Sequence, residues 1–293
     1  MNWDDIRIFL AVARAGQILA AARRLELNHA TVGRRLTALE TALGAHLLHR
    51  RPNGCELTET GRSFLEHAER MEAAQLAARA AIGGADVALS GTVRIGAPDG
   101  FGTAFLAPRL WRLQERHPQL TVQLVPVPRA FSISRREADI AITVERPEAG
   151  RLVAAKLVDY ALGLYASRGY VAERGAPESL GDLARHRLVG AVDDLLYSPR
   201  LAYYVDLVPD WPSGTEISSA TGQTEAVAAG AGIGILHSFM ASRRPDLVRL
   251  LPEATIRRTY WLVYHESARD VRRIAVAADF IRELVEAERG LFG

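Results

Sequence analysis

The chain has 293 residues, a formal net charge of +2, 48% hydrophobic residues and 24% charged residues, as in a folded protein of two or three domains. This composition excludes a disordered chain and a polycation. The sequence contains no run of about 18 apolar residues, so we predict no membrane span. The one cysteine, Cys55, excludes an internal disulfide and a cysteine metal cluster. Because acidic residues near the start do not suit a signal peptide, we expect a cytoplasmic protein without a membrane partner.

Three short helices are predicted in the first part of the chain. Residues 4–15 have one apolar face and end at Gly16, residues 18–25 are rich in alanine, and a third helix follows Asn28, which can cap it. In the third helix the residues expected to face inward are Val32, Leu36, Leu39 and Leu43. The residues expected to face outward are His29, Thr31, Arg34 and Arg35. Such a helix suits a DNA major groove, although an ordinary amphipathic helix with solvated charges shows the same pattern.

A hairpin is predicted at residues 46–58, because an Asn-Gly pair at residues 53–54 separates two short segments. It would form a wing beside the third helix. Arg50 and Arg51 would then reach DNA phosphates, unless they are simply surface arginines. Residues 1–62 contain nine arginines against six acidic residues, a modest local excess of the sign that DNA requires.

Residues 59–85 contain no proline and predict one long helix. An apolar seam at alternating spacings of three and four is formed by Phe64, Ala68, Met71, Gln75, Ala78 and Ile82. The seam predicts a partner helix from a second copy of the chain, or else packing on its own domain. Glycines at 83–84 and at 91 indicate a hinge after the helix.

Five segments together resemble the LysR-type transcriptional regulators, namely DIRIFLAVA, AAARRL, RRLTALE, LGAHLLHR and LTETG. The resemblance implies an α/β chain with an N-terminal winged helix-turn-helix, a long linker helix and a two-lobed effector domain like a periplasmic binding protein. The implied boundaries are 1–59 for the DNA-binding domain, 60–88 for the dimerisation helix and 92–293 for the effector domain. Within the effector domain, lobe I would consist of 92–162 with 265–293, and lobe II of 163–264. The chain would cross between lobes near Leu162 and return near Tyr264.

Carried over by position, the resemblance implies that Asn28 replaces a capping serine and that Arg34 and Arg35 face DNA. Ala30 and Gly33 stand where many members carry serine. A glycine inside a helix costs about 1 kcal/mol relative to alanine, so either the backbone approaches DNA there or the loss is tolerated. The candidate DNA-binding residues are Asn28, His29, Thr31, Arg34, Arg35, Arg50 and Arg51.

Residues 92–293 alternate segments typical of strands and of helices, which predicts a parallel sheet with helices on its faces. The predicted strands are TVRIGAP, LTVQLVPV, DIAITV, LGLYAS, HRLVGAV, EISSAT, GIGILH and TYWLVYHE. The predicted helices cover residues 103–117, 168–174, 223–229 and 271–288.

Ligands of such sheets bind beyond the carboxyl ends of the strands and against helix N-termini. This rule selects Pro98, Asp99, Gly100, Phe101, Thr103, Ser132, Thr143, Thr221 and Gly222 as candidate effector-binding residues, although each could be an ordinary turn residue. Amides following Thr221 and Gly222 could hold a ligand carboxylate. The acidic pair at 193–194 would disfavour an anionic ligand if it lay in the cleft.

Enzyme motifs are not found in the sequence. The glycine run beginning at Gly230 lacks the spacing of a nucleotide-binding loop, and no HExxH or GxSxG motif occurs. We predict no catalysis, cofactor or metal, but a sequence-specific DNA-binding transcriptional regulator controlled by a small-molecule effector. Its predicted partners are double-stranded DNA, the effector, further copies of itself in a dimer or tetramer, and RNA polymerase as a candidate. The alternative is a two-lobed small-molecule-binding protein or metabolic enzyme whose N-terminal helices serve assembly.

Overall fold

The computed structural model describes residues 2–51, 54–83, 89–127, 129, 137–147, 151–208, 211–269 and 271–293. The chain divides into two compact units, Met1–Val87 and Ala88–Gly293. The helices are α1 (Trp3–Ala15), α2 (Ile18–Leu25), α3 (His29–Leu43), α4 (Glu59–Gly83), α5 (Trp111–Arg116), α6 (Arg168–Arg174), α7 (Ala220–Ala228), α8 (Ser238–Ala241) and α9 (Arg272–Ala287). The strands are β1 (Leu48–Arg51), β2 (Gly54–Leu57), β3 (Gly91–Ala97), β4 (Leu120–Pro126), β5 (Ile140–Thr143), β6 (Leu152–Ser167), β7 (Leu188–Gly190), β8 (Thr215–Glu216), β9 (Ile233–His237) and β10 (Leu247–His265). Within the described ranges, every helix is too short or too polar to cross a bilayer.

The first unit packs α1, α2 and α3 around one apolar core, as predicted. Val32, Leu36 and Leu39 of α3 are almost completely buried against residues of α1 that include Phe9. The predicted caps are also present. Gly16 ends α1 in the left-handed conformation with φ of 67°, and the Asn28 side chain accepts a 2.8 Å hydrogen bond from the amide of Ala30.

The predicted hairpin forms from β1 and β2, which pair antiparallel with Arg51 opposite Gly54. Its turn residues 52–53 lie outside the described residues. Hydrogen bonds to the end of α1 and to α3 fix the hairpin to the helices. The Cys55 amide donates to the Gly16 carbonyl at 2.7 Å, and the buried Glu40 carboxylate accepts from the Leu47 amide at 2.7 Å.

Helix α4 begins in close contact with the chain before the wing. The Thr58 side chain caps it by accepting from the Gly61 amide at 2.8 Å, and the Thr58 amide donates to the Leu47 carbonyl at 3.0 Å. A Cβ atom at position 61 would overlap the Leu47 carbonyl oxygen. Only glycine therefore fits at this first turn of α4.

The predicted seam of α4 divides into two parts. Phe64 packs its ring edge-to-face against Phe9 at a centroid distance of 5.2 Å, and Ala68 is fully buried, so these positions pack on their own unit. The prediction of a partner helix is therefore wrong for these two positions, which follow the alternative of packing on their own domain. Further along, Met71 is 42% exposed and Ala78 is exposed. The Ile82 side chain lies outside the described part of the structure.

The second unit contains a sheet of eight strands in the order β4-β3-β5-β10-β6-β9-β7-β8. Strands β3, β4 and β5 are parallel, as are β7, β8 and β9, which confirms the two similar halves. The prediction of a parallel sheet was wrong for β6 and β10, which run antiparallel to each other and to their outer neighbours. These two strands are far longer than the segments LGLYAS and TYWLVYHE, since each extends through both halves.

Strand pairing also revises several predicted boundaries. Residues 261–264 of β10 pair with β5, so the chain has returned to the first half before Tyr264. The predicted helix at 103–117 consists of a π-helical turn at Phe101–Leu106, a 3-10 turn at Ala107–Arg109 and then α5. The predicted strand EISSAT overlaps β8 only at Glu216, and α7 already begins at Ala220.

Candidate DNA-reading helix and effector cleft

The outer face of α3 is the candidate DNA-reading surface of the first unit. Opposite its buried residues, exposed positions recur at 30, 34, 37 and 41 along one stripe. The hydroxyls of Thr37 and Thr41 donate to carbonyls one turn back, which leaves Arg34 as the long polar side chain on the stripe. Among the described residues, Arg34 has no ion-pair partner.

Arg35, in contrast, is held by the first helix. Its Nε donates to the buried Asp5 carboxylate at 2.6 Å, and its Nη2 donates to the Asn2 side chain at 3.2 Å. Asn2 and Asp5 also form the capping box of α1. The prediction that Arg35 faces out to DNA beside Arg34 is therefore wrong in this structure, where Arg35 ties α3 to the start of α1.

The remaining candidates of the first unit are placed as follows. His29 is exposed at the start of α3, Thr31 is half-buried, and Asn28 uses its side chain as the cap. On the wing, Arg50 stands opposite Cys55, and Arg51 forms an exposed ion pair with Glu56 at 3.1 Å. Such exposed pairs contribute little to stability, so Arg51 can exchange Glu56 for a phosphate.

A cleft lies between the two halves of the second unit. It encloses about 730 Å³, including its open mouth. One wall follows β3 and contains Pro98, Asp99 and Gly100, three of the predicted residues. The opposite wall comes from the half that contains β7 and β9. Its aromatic side chains are Tyr197, Tyr203, Tyr204 and Trp211.

Asp99 connects the two halves across the cleft. Its Oδ2 accepts from the Ser219 hydroxyl at 2.8 Å and from the Thr221 amide at 2.9 Å, at the start of α7. Gly100, beside it, comes so close to Ala220 and Met240 that a Cβ would lie 3.3 Å and 2.8 Å from their side chains. The helix terminus that we predicted to hold a ligand carboxylate therefore holds a carboxylate of the chain itself.

An aromatic stack supports the cleft floor. The Tyr160 ring stacks on Tyr260 at a centroid distance of 4.0 Å and on His237 at 5.4 Å, and its hydroxyl lies 3.3 Å from that of Tyr203. Burial raises the pKa of Tyr160, Tyr203 and Tyr260 well above the ordinary tyrosine value. Burial also lowers the pKa of His237 to about 4, opposed in part by the charge of Asp99. All four side chains are therefore uncharged at neutral pH.

Several predicted effector residues lie elsewhere. Phe101 is completely buried among Phe105, Tyr260 and Phe292, so it belongs to the core, and Thr103 is exposed and does not line the cleft. The Gly222 amide donates to the Ser219 hydroxyl, which caps α7, and Gly222 does not line the cleft. Thr221 does not line it either, although its amide donates to Asp99. Ser132 lies outside the described residues.

A second depression adjoins the cleft and shares Val144 and Tyr197 with it. Thr143 lines this depression, with arginines that include Arg146, Arg200 and Arg258. Arg258 pairs with Asp206 at 2.7 Å, and the Thr143 hydroxyl donates to the Glu145 carbonyl at 2.6 Å. This depression is therefore lined by basic side chains. In the aromatic cleft, every described lining side chain is neutral except that of Asp99.

The arrangement of a helix-turn-helix before a two-halved α/β unit matches two family models. The model of the LysR substrate binding domain matches residues 87–286. The model of the bacterial regulatory helix-turn-helix protein, lysR family, matches residues 3–62. The chain belongs to the LysR family. It is a LysR-type, DNA-binding transcriptional regulator that is controlled by a ligand.

Individual LysR-type relatives agree with this membership. The CrgA regulator of Neisseria meningitidis serogroup C is 25% identical over 289 residues, with 96% of each chain covered. An HTH-type transcriptional regulator of Xanthomonas campestris pv. campestris is 32% identical over 184 residues, which cover 63% of this chain and 54% of that protein. The solved structure of Neisseria meningitidis CrgA has a TM-score of 0.59 at 24% identity and covers 97% of this chain and 99% of that one.

The aromatic residues of the cleft in this LysR-type chain were missed from the sequence, yet two signals pointed to them. His237 ends β9, so the rule that selected Pro98 and Asp99 selects it as well. Tyr197, Tyr203 and Trp211 fall in one irregular stretch without a helical or strand period, where large aromatic residues have no predicted core to fill. Conspicuous aromatics in such a loop are a sign of a binding wall.

Proposed function

We propose that this regulator reads DNA through the exposed stripe of α3, with Arg34 as the main base-reading side chain. The observation that supports this assignment is the different use of the two adjacent arginines, since Arg35 is engaged by Asp5 while Arg34 is exposed and unpaired among the described residues. An arginine free to extend can donate two hydrogen bonds to guanine in the major groove. His29 at the start of the helix is the second candidate, and the wing arginines Arg50 and Arg51 would contact phosphates.

The direct test is a gel shift of the full chain with the DNA upstream of its own gene. Binding should prefer this DNA over a scrambled sequence and weaken steeply as salt rises, because phosphate contacts release counterions. Absence of sequence-preferring, salt-sensitive binding would contradict the proposal.

Arg34→Ala should reduce discrimination between the upstream DNA and scrambled DNA by about 1 to 3 kcal/mol, because a bidentate base contact is lost. Fluorescence anisotropy with both duplexes measures this difference. Arg70→Ala, which removes an exposed arginine from α4, serves as the matched control and should leave discrimination unchanged. An equal loss on both duplexes would assign Arg34 to phosphate instead.

We also propose that the exposed part of the α4 seam joins two copies of the chain, and that the dimers pair as tetramers. Members of this family form oligomers. Met71, Gln75 and Ala78 continue the seam beyond the point where Phe64 and Ala68 are covered by their own unit. Among the described residues, Met71 is one of the few large hydrophobic side chains left exposed.

Met71→Asp should weaken dimerisation by placing a charge in the seam, where it loses its water on association. Light scattering over a dilution series measures the effect. The Met71→Asp variant should begin to dissociate at a higher protein concentration than the unmodified chain. Arg70→Asp places the same group on the neighbouring, outer side of α4 and should leave the mass unchanged. Identical dilution curves for Met71→Asp and the unmodified chain would exclude Met71 from the interface.

The cleft of the second unit is the proposed effector site. A ligand that binds one arrangement of the two halves more tightly shifts the population toward that arrangement, and this shift would alter how paired α3 helices sit on DNA. We place the regulator in the cytoplasm, where bacterial DNA lies, with RNA polymerase as a further proposed partner. A thermal shift of the full chain with small metabolites would identify the ligand, because binding stabilises the native state.

A further inference from the structure

We infer that the effector cleft selects a small organic cation, a ligand with an apolar body and a protonated amine or quaternary ammonium group that pairs with Asp99. The inference depends on the proposed role of the cleft as the effector site. Three features of the cleft support it independently: an acidic side chain without a cationic partner, walls of neutral aromatic rings, and a neutral histidine where a basic group could have been.

Asp99 supplies the negative charge. Both of its hydrogen bonds reach the same oxygen, Oδ2, and come from the uncharged Ser219 hydroxyl and Thr221 amide. In the described part of the chain no arginine or lysine pairs with this carboxylate, and no donor reaches Oδ1. A carboxylate that is half-buried in a cleft and lacks a cation favours a ligand that provides one.

The charge of Asp99 raises the pKa of Tyr197 and opposes the lowering of the pKa of His237. Burial is the larger cause for both residues, and the pKa of Tyr197 rises to about 12. The field that disfavours a tyrosinate in the cleft favours an ammonium group at the same place. Tyr197, Tyr203 and Trp211 line the same cleft as Asp99, and aromatic faces attract cations by their quadrupole.

Among the described residues that line the cleft, none carries a positive charge that would compensate an anionic ligand. His237 is uncharged at neutral pH because burial keeps its pKa low. Arg258 lies 5.9 Å from the centroid of the Tyr203 ring, but its guanidinium pairs with Asp206 at 2.7 Å. A ligand carboxylate would therefore be repelled by Asp99 and would find no described cationic side chain to pair with. We expect a cation to bind most tightly, a neutral molecule less tightly and an anion most weakly.

The walls of the cleft suit a ligand with an apolar body. Its lining is mostly apolar, as in small-molecule sites where a few polar groups fix the orientation of the ligand. Probes that share one aromatic ring and a two-carbon arm, and that differ only in the terminal group, present the same apolar body to these walls. Three probes with the same body therefore isolate the effect of charge.

Calorimetric titration of the full chain at neutral pH should use 2-phenylethylamine, 2-phenylethanol and 3-phenylpropionate. The ammonium probe should bind on the order of tenfold to a hundredfold more tightly than the alcohol, as expected for a hydrogen bond between charged groups. The carboxylate should bind most weakly. Asp99→Asn keeps the acceptor for Ser219 and Thr221 but removes the charge, so it should abolish the preference for the amine and leave affinity for the alcohol unchanged.

Asp279→Asn serves as the matched control, because Asp279 is exposed on α9 and pairs with Arg282 away from the cleft. It should retain the preference of the unmodified chain. Tighter binding of 3-phenylpropionate, equal binding of all three probes, no binding of any probe at millimolar concentration, or an unchanged preference in Asp99→Asn would each overturn the inference.

The gel shift with upstream DNA, performed on the same preparation, separates the two hypotheses. Sequence-preferring DNA binding together with any of these contrary titrations means that the ligand class is wrong while the regulator role stands. A chain that prefers the amine but shows no DNA binding means that the proposed function is wrong and the ligand class stands.

Discussion

Replacing Gly61 by alanine should destabilise the DNA-binding unit by about 3 kcal/mol or more, because the new methyl group would overlap a backbone atom that cannot move alone. The Leu47 carbonyl already accepts from the Thr58 amide at 3.0 Å, and the Leu47 amide is bound by Glu40 at 2.7 Å. Relief of the overlap would have to shift the wing or the start of α4. Amide hydrogen exchange in the full chain should therefore become faster in α1 to α3 and stay unchanged in the second unit.

Gly33→Ala provides the matched control within the same unit. Gly33 lies inside α3, and a Cβ there would meet no atom within 4 Å apart from its chain neighbours and the adjacent backbone of its own helix. The substitution should slow exchange, since alanine stabilises a helix interior by about 1 kcal/mol over glycine. Its effect on DNA affinity also decides between the two reasons for a glycine here: a loss indicates close backbone approach to DNA, and unchanged affinity indicates tolerance. Faster exchange in Gly33→Ala than in Gly61→Ala would refute this account.

Acidification should destabilise the second unit through His237. The unfolded histidine binds a proton as pH falls through 6.5, whereas the folded one does so only at about 4, so the unfolded state holds more protons in this window. The free energy of unfolding is therefore highest above pH 6.5 and falls as pH decreases toward 4, by on the order of 3 kcal/mol from this group. Calorimetric transitions of the full chain from pH 7 to pH 4 measure the change.

His237→Phe keeps an aromatic ring among Tyr160, Tyr203 and Phe239 but has no proton to bind. The variant should lose less stability than the unmodified chain on acidification. Paired carboxylates also weaken the protein in acid, as for Glu288, whose pKa is lowered by the hydrogen bond from Arg109. Because these groups remain in both proteins, the difference between the two isolates His237. The exposed His67→Gln variant should behave like the unmodified chain, and parallel curves for His237→Phe and the unmodified chain would contradict the prediction.

The helices of the first unit were predictable because their signals are local. Gly16 and Asn28 define ends by backbone conformation and side-chain capping, and the period of Val32, Leu36 and Leu39 defines the buried face. The role of Arg35 could not follow from that period, since the side chain is long enough to reach Asp5 from the border of the outer face. Such a contact depends on how two helices cross.

The long strands of the second unit were only half predicted. The segments LGLYAS and TYWLVYHE form the apolar parts of β6 and β10, whereas the rest of each strand alternates with exposed residues such as Lys156 and Arg257. The core position of Phe101 did have a local signal, because Phe101 and Phe105 are one helical turn apart on one face. The bridge from Asp99 to α7 joins residues far apart in sequence, and no local pattern contains it.

The two central strands determine how the effector unit can move. Strands β6 and β10 run through both halves of the sheet and connect them. The two strands pair with each other along this length, from Leu152 opposite His265 at one end to Ser167 opposite Leu247 at the other. A joint made of hydrogen-bonded strands resists sliding and stretching, so the halves can change their relation mainly by twist and bend about the strand pair. The register shifts between Leu250 and Thr255 and at Tyr260 interrupt the ladder and are where such bending concentrates. Ligand binding in the cleft would therefore rotate the two halves of this unit by a small angle relative to each other.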